Sequence, residues 1–250
     1  MRKLTPIVLL VVVAAAALLI PAAVTAQSNF TVDPVQIYLS PDQNTAILTF
    51  TNHGDNELRL ELNGFTWTHD EEGRMDLQPT EDVVFFPELV ALEPGREQRV
   101  RIGLQTDFAA VEKAYRLMIA ELPSGAAVEG GEVQLRTTVS IPVFLQQTST
   151  EEGAVDFTAS VSGRTVNGRI ENIGNIHILA DAVEFKGFDA DGRVVFQENQ
   201  PGWYILPGLA HRFDYTLSDA ACRSVVRVDA NAIGHGQMVS RSVDVAAACR

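Results

Sequence analysis

The sequence is poor in positive charge, and its histidines form no pattern. Its 19 Lys and Arg stand against 32 Asp and Glu, and only Lys3, Lys113 and Lys186 are lysine. There is no basic patch to neutralise a phosphate backbone or hold anionic lipid, so the composition argues against nucleic acid and against a lipid surface as partners. His53, His69, His177, His211 and His235 are scattered, and none lies at ligand spacing from a cysteine, so no metal site is expected. Gly-x-Ser-x-Gly, His-Glu-x-x-His and a phosphate-cradling glycine loop are all missing. No catalytic residue and no cofactor is assigned, and the chain reads as non-enzymatic. Asp-x-Asp-Gly at 189–192 lacks the remaining oxygen ligands of a calcium loop.

Only one apolar run is long, Ile7 to Ile20, and it lies at the N-terminus. Arg2 and Lys3 precede it, and the small residues Val24-Thr25-Ala26 follow. This order predicts a signal peptide over 1–26, cleaved after Ala26; the alternative is an uncleaved N-terminal anchor. Cleavage leaves 17 basic against 32 acidic side chains, a net charge of −15. Cysteine is also scarce. In an exported chain the pair Cys222 and Cys249 reads as a disulfide, with two reduced buried thiols as the alternative. The bridge would close a loop of about 28 residues and contribute roughly 3–4 kcal/mol.

Helical periodicity is nearly absent; the one short candidate is a connector at 107–114. Period-2 alternation recurs instead, as in Glu57 to Leu62 and Arg99 to Leu104, separated by turn signals at 52–56, 70–73, 93–95 and 189–192. The fold class is all-β: two immunoglobulin-like β-sandwiches set at an angle. The first domain spans 27–146, a polar linker 147–153, and the second domain 154–250. Trp67 is expected in the first sandwich core, Trp203 and Tyr204 in a core or a domain junction, and His53, His69 and His177 in or beside solvated turns. A carbohydrate platform of Trp67, Trp203 and Tyr204 is the competing reading.

Two segments stand out. In "AYRLMIAELP", 114–123, Tyr115, Leu117 and Ile119 share one parity. In "EVQLRTTVSIPVFL", 132–145, Val133, Leu135, Thr137, Val139, Ile141 and Val143 do. The loop "SGAAVEGG" between them leaves the second segment poorly covered, a hazard for an apolar strand.

The order of motifs resembles the periplasmic pilus-assembly chaperones of the chaperone–usher pathway. "TVDPVQIYLSPDQNTAILTFTNHG" resembles their opening strands. "FTWTHDEEGRMDLQPTEDVVFFPELVALEPGREQRVRI" resembles their Trp strand, proline-bearing segment and L-x-P-G-x-x-Q-x-x-R turn. "YRLMIAELP", "VSIPVFL", "IENIGNIHILADAVEFKGFDADG" and "GWYILPG" follow in order. The "SIPVF" form is most similar to the archaic, spore-coat-U-like branch.

This resemblance implies a periplasmic chaperone that holds pilus or other surface-fibre subunits by donor-strand complementation and passes them to an outer-membrane usher. It implies Val133, Leu135, Thr137 and Val139 as the lent residues. The family's carboxylate clamp, an arginine and a lysine, aligns with Gln36 and Ser140. Both are uncharged, and neutral hydrogen bonds are about half as strong as charge-assisted ones. Arg136 is the substitute cation by position. The free chain could also cap its exposed edge by dimerising. An exported structural or adhesive protein built from immunoglobulin-like domains is the alternative.

Overall fold

The computed structural model describes residues 30–123, 136–146, 153–234 and 237–245. Among the described residues, nineteen strands and one short helix form two β-sandwiches. One sheet of the first sandwich has the order β1 (Phe30–Asp33), β3 (Ala46–Asn52), β8 (Glu97–Leu104), β6 (Val83–Phe86). The other has the order β2 (Ile37–Leu39), β10 (Thr138–Leu145), β9 (Lys113–Glu121), β4 (Leu58–His69), β5 (Met75–Pro79), with β7 (Leu89–Leu92) paired to β4. Every pair is antiparallel except β2 with β10. Alternation puts Leu48, Phe50, Leu60, Leu62, Val100, Ile102, Leu117, Ile119, Ile141 and Val143 between these sheets.

The second sandwich faces β11 (Val155–Ser162), β12 (Thr165–Asn172) and β17 (Ala210–Thr216) against β15 (Val194–Pro201), β14 (Ala182–Phe188), β18 (Arg227–Gly234) and β19 (Gln237–Asp244). A two-stranded ribbon, β13 (Ile178–Leu179) with β16 (Tyr204–Ile205), completes it. Phe157, Phe185, Phe213 and Val228 fill its core. The turn at 189–192 joins β14 to β15 as expected, with Asp189 Oδ1 accepting from the Asp191 and Arg193 amides.

One buried device occurs in both sandwiches. Asn52 Nδ2 donates to the Asn56 and Leu92 carbonyls, and its Oδ1 accepts from the Gly54 amide. Asn172 does the same with Ile176, Ile205 and Gly174. Each asparagine ties the loop after its strand to a neighbouring strand, satisfying carbonyls that water does not reach.

Two expectations about elements are corrected. Residues 107–112 form no helix: the Glu112 amide donates to the Asn175 carbonyl of the second sandwich rather than within a turn. A helix does occur at Asp219–Ser224, here α1, capped by Ser218. Its buried Cys222 packs into the second core. Cys249 and the cleavage site at Ala26 lie outside the described residues, as do the linker residues 147–152. Among the described residues no helix is long and apolar enough to cross a membrane.

Candidate functional site: an open strand edge and a buried arginine

β10 is paired along its whole length on one side only. Thr138 to Leu145 run antiparallel to β9, whereas β2 covers the other side only at Val143 to Leu145. Among the described residues, Thr138 to Pro142 therefore have no strand on their outer edge. The Thr137 amide and carbonyl are engaged inward by the Glu121 carboxylate and the Glu121 amide. Half-buried Val139 packs against the first core, and Ile141 and Val143 lie inside it. The apolar parity of this segment thus starts at the core and leads outward toward Thr137. Val133 and Leu135 lie outside the described residues.

The opposite face of the same sheet meets the second sandwich. Core parity in β4 belongs to Leu58, Leu60 and Leu62, so Trp67 and His69 point away from the first core. Trp67 is corrected accordingly: it joins Phe144, Tyr204 and Leu206 in a separate cluster between the sandwiches. Tyr204 is the expected junction anchor. His69 and His177 are not solvated. His69 Nε2 accepts from the Leu206 amide, which fixes the proton on Nδ1, where it is donated to the Asp70 carbonyl. His177 stacks on Phe144 at 3.8 Å and contacts the buried Glu112 carboxylate at 2.8 Å. His53 is in an exposed turn beside Thr31, as expected. His235 lies outside the described residues.

Arg116 is the residue that sequence reading missed. Its alternation with Tyr115 and Leu117 points it outward, and an outward arginine is ordinarily solvated. Here the second sandwich covers that face, and Arg116 is 4% exposed. Its guanidinium lies 3.7 Å from the centre of the Trp67 ring, 5.7 Å from that of Tyr204 and 6.0 Å from that of Trp203. Nε and Nη2 are buried without a hydrogen-bond partner, as are Trp67 Nε1 and Ser140 Oγ. Burial pushes the Arg116 pKa down to about 10, so the group stays cationic at neutral pH. A desolvated cation without an anion is costly, and contact with an indole face offsets only part of that cost.

The residues aligned with the clamp lie on this same face. Pro142 pairs with Arg116, and Ser140 pairs with Met118, so Ser140 and Arg116 are diagonal neighbours on adjacent strands. Gln36 Nε2 donates to the Tyr204 hydroxyl and thereby links the two sandwiches. Arg136 precedes β10 and is exposed, so Arg116 is the buried cation beside Ser140. Trp203, 42% exposed, stands edge-on to Tyr204 on the side of Arg116. The arrangement combines a main-chain edge that no described strand covers with a buried cation whose Nε and Nη2 lack acceptors.

Residues 29–150 match the family model described as pili and flagellar-assembly chaperone, PapD N-terminal domain. No curated protein sequence matches the chain significantly. Several solved structures share its fold. One is a chain of the CsuC–CsuE chaperone–tip adhesion subunit pre-assembly complex from archaic chaperone–usher Csu pili of Acinetobacter baumannii, with TM-score 0.59 and 14% identity over 86% of this chain and 98% of that one. A second is from the Salmonella enterica SafA pilin in complex with the SafB chaperone, with TM-score 0.56 and 11% identity over 88% and 98%. The Pseudomonas aeruginosa CupB2 chaperone gives TM-score 0.51 and 17% identity over 86% and 100%. Residues 29–150 thus match the N-terminal domain of the pili and flagellar-assembly chaperones, and the chain as a whole shares the fold of the solved chaperones.

Proposed function

We propose that this protein is a periplasmic chaperone that holds subunits of a pilus or related surface fibre by lending them the free edge of β10, and delivers them to an outer-membrane usher. The observation that carries this reading is the one-sided pairing of β10 from Thr138 to Pro142. An open edge is a template for a further strand, and main-chain hydrogen bonds to it give affinity with little demand on client sequence. Side chains on the apolar parity, Val133, Leu135 and Thr137, would enter the client's groove, each apolar one contributing about 1.5–3 kcal/mol, while Val139, expected among them, stays packed on the chaperone's own core. The family match over 29–150 and the similarity to chaperones held in complexes with a pilin or tip subunit support the same reading.

The client's C-terminal carboxylate would bind at Arg116. The guanidinium Nε and Nη2, the Trp67 indole N–H and the Ser140 hydroxyl are donors without acceptors, and a carboxylate supplies up to four lone-pair sites. A charge-assisted pair would offset the cost of keeping Arg116 buried. In this reading Gln36 and Ser140 keep their places beside the carboxylate, and Arg116 supplies the charge that they lack. We also assign 27–146 and 154–250 as the two domains, and Cys222–Cys249 as their only disulfide.

Purification from periplasmic extract, in parallel with Leu135→Glu, tests the function. The wild type should carry a stoichiometric small β-rich secreted protein. The variant should fold and lose it, because the new carboxylate would be buried in the client's groove. Equal capture by the folded variant removes Leu135 from the donor strand. No partner for either, with the subunits expressed, contradicts the chaperone reading.

A further inference from the structure

The turn between β4 and β5 reaches across to the second sandwich and is itself held rigid. Asp70 Oδ1 accepts from the amides of Glu72 and Arg74, and Asp70 Oδ2 accepts from Arg74 Nε at 2.7 Å. Gly73 has φ +76°, and a Cβ there would lie 2.5 Å from His211 Cε1 on β17, so the turn and the strand are in close contact. The stiff turn presents Glu71. Its carbonyl accepts from the Arg212 amide at 2.7 Å, and its carboxylate accepts from Arg169 Nε at 3.0 Å and from Arg212 Nη2.

Arg169 and Arg212 are directly opposite on β12 and β17. Like charges in that position repel. Glu171, on the strand of Arg169, takes only Arg169 Nη1. The anion that touches both arginines comes from the other sandwich. The two arginines hold the Glu71 carboxyl below the ordinary glutamate range. A lone exposed ion pair contributes little. This one differs because its carboxylate is shared by both guanidiniums, whereas Glu171 reaches Arg169 and Glu72 reaches Arg212 at 3.8 Å, and because its loss releases a turn shaped to fit them.

We infer that Glu71 is a positioning residue: by bridging Arg169 and Arg212 it sets the angle between the two sandwiches, and with it the cleft around Arg116. The Gln36–Tyr204 and Arg116–Trp203 contacts of that cleft also span both sandwiches, so a change of angle alters them together. The effect on client capture rests on the chaperone reading above; the effect on the angle does not.

Residual dipolar couplings on the full mature chain test this. Wild-type couplings from both sandwiches should fit one alignment tensor. In Glu71→Lys each sandwich should still fit internally while the common fit is lost. Glu71→Lys with Arg212→Glu, which restores an anion between two cations, should regain it. Should Glu71→Lys not fold, Glu71→Gln should show reduced alignment of one sandwich relative to the other. A single tensor unchanged in whichever variant folds overturns the inference. Client capture separates the two proposals: Leu135→Glu should lose the client with the common fit intact, and Glu71→Lys should weaken capture with β10 unaltered. If even the wild type captures nothing, the chaperone reading falls and the couplings still decide the role of Glu71.

Discussion

At the scale of single residues, Arg116 concentrates the chemistry of the molecule. It lies between Trp67 and Tyr204 with buried donors and, among the described residues, no anion, a state that lowers the stability of the free protein. Arg116→Met keeps the volume and removes the charge. It should leave the free protein as stable or more stable, by about 1–4 kcal/mol on the precedent of buried charges replaced by apolar groups. It should weaken client binding by about 2–5 kcal/mol, the usual cost of removing one partner of a buried charge pair. Thermal unfolding and titration calorimetry measure the two effects; destabilisation with unchanged affinity would make Arg116 a structural residue. Alternation identifies Arg116 as facing away from Tyr115 and Leu117, and that is correct. Whether an outward face meets water or a second sandwich is a tertiary fact, absent from period-2 patterning. For the same reason Trp67 reads as core when it belongs to the interface, and His69 and His177 read as solvated when they lie in it, His69 buried and His177 half-buried.

At the scale of elements, the strands were legible because each buries one side chain in two, and the turns because Asp, Gly and Pro cluster between them. The six-residue helix at Asp219–Ser224 was not, since fewer than two turns show no 3.6-residue period; its one signal is the Ser218 cap. The contact of the β4–β5 turn with β17 adds a pH dependence. His211 stacks on Phe213, lies 6.3 Å from the His69 ring and has a buried Nδ1 without a partner. Burial, and secondarily His69, push its pKa down, against a weaker opposing pull from Asp70 and Glu72. The folded chain therefore keeps His211 neutral in a range where the unfolded chain protonates it, beginning near about pH 6.5. In that window the unfolded state binds more protons, so stability rises with pH and is lost as pH falls. Glu71, whose pKa is lowered, loses its contribution further down, as the carboxylate protonates. The unfolding temperature should fall between about pH 7.5 and about pH 5.5, and His211→Gln should flatten that slope. Equal slopes in the two proteins would contradict the assignment.

At the scale of the whole molecule, the two sandwiches are joined by an apolar cluster, Trp67, Phe144, Tyr204 and Leu206. The Glu71 turn and the Glu112–His177 contact bind them on further elements. The free edge of β10 and the buried Arg116 guanidinium belong to the same sheet, on its edge and its outer face. In the function proposed above, a client strand laid along Thr138 to Pro142 and a carboxylate held at Arg116 would be two parts of one binding event. Amide hydrogen exchange of the purified protein, alone and with the subunit that co-purifies with it, tests this most directly. Exchange should slow on binding for the edge residues of 138–141 and for the apolar segment that precedes them, and should change little on β1, β3, β6 and β8. Protection confined to those four strands, or none on 138–141, would contradict strand lending by β10.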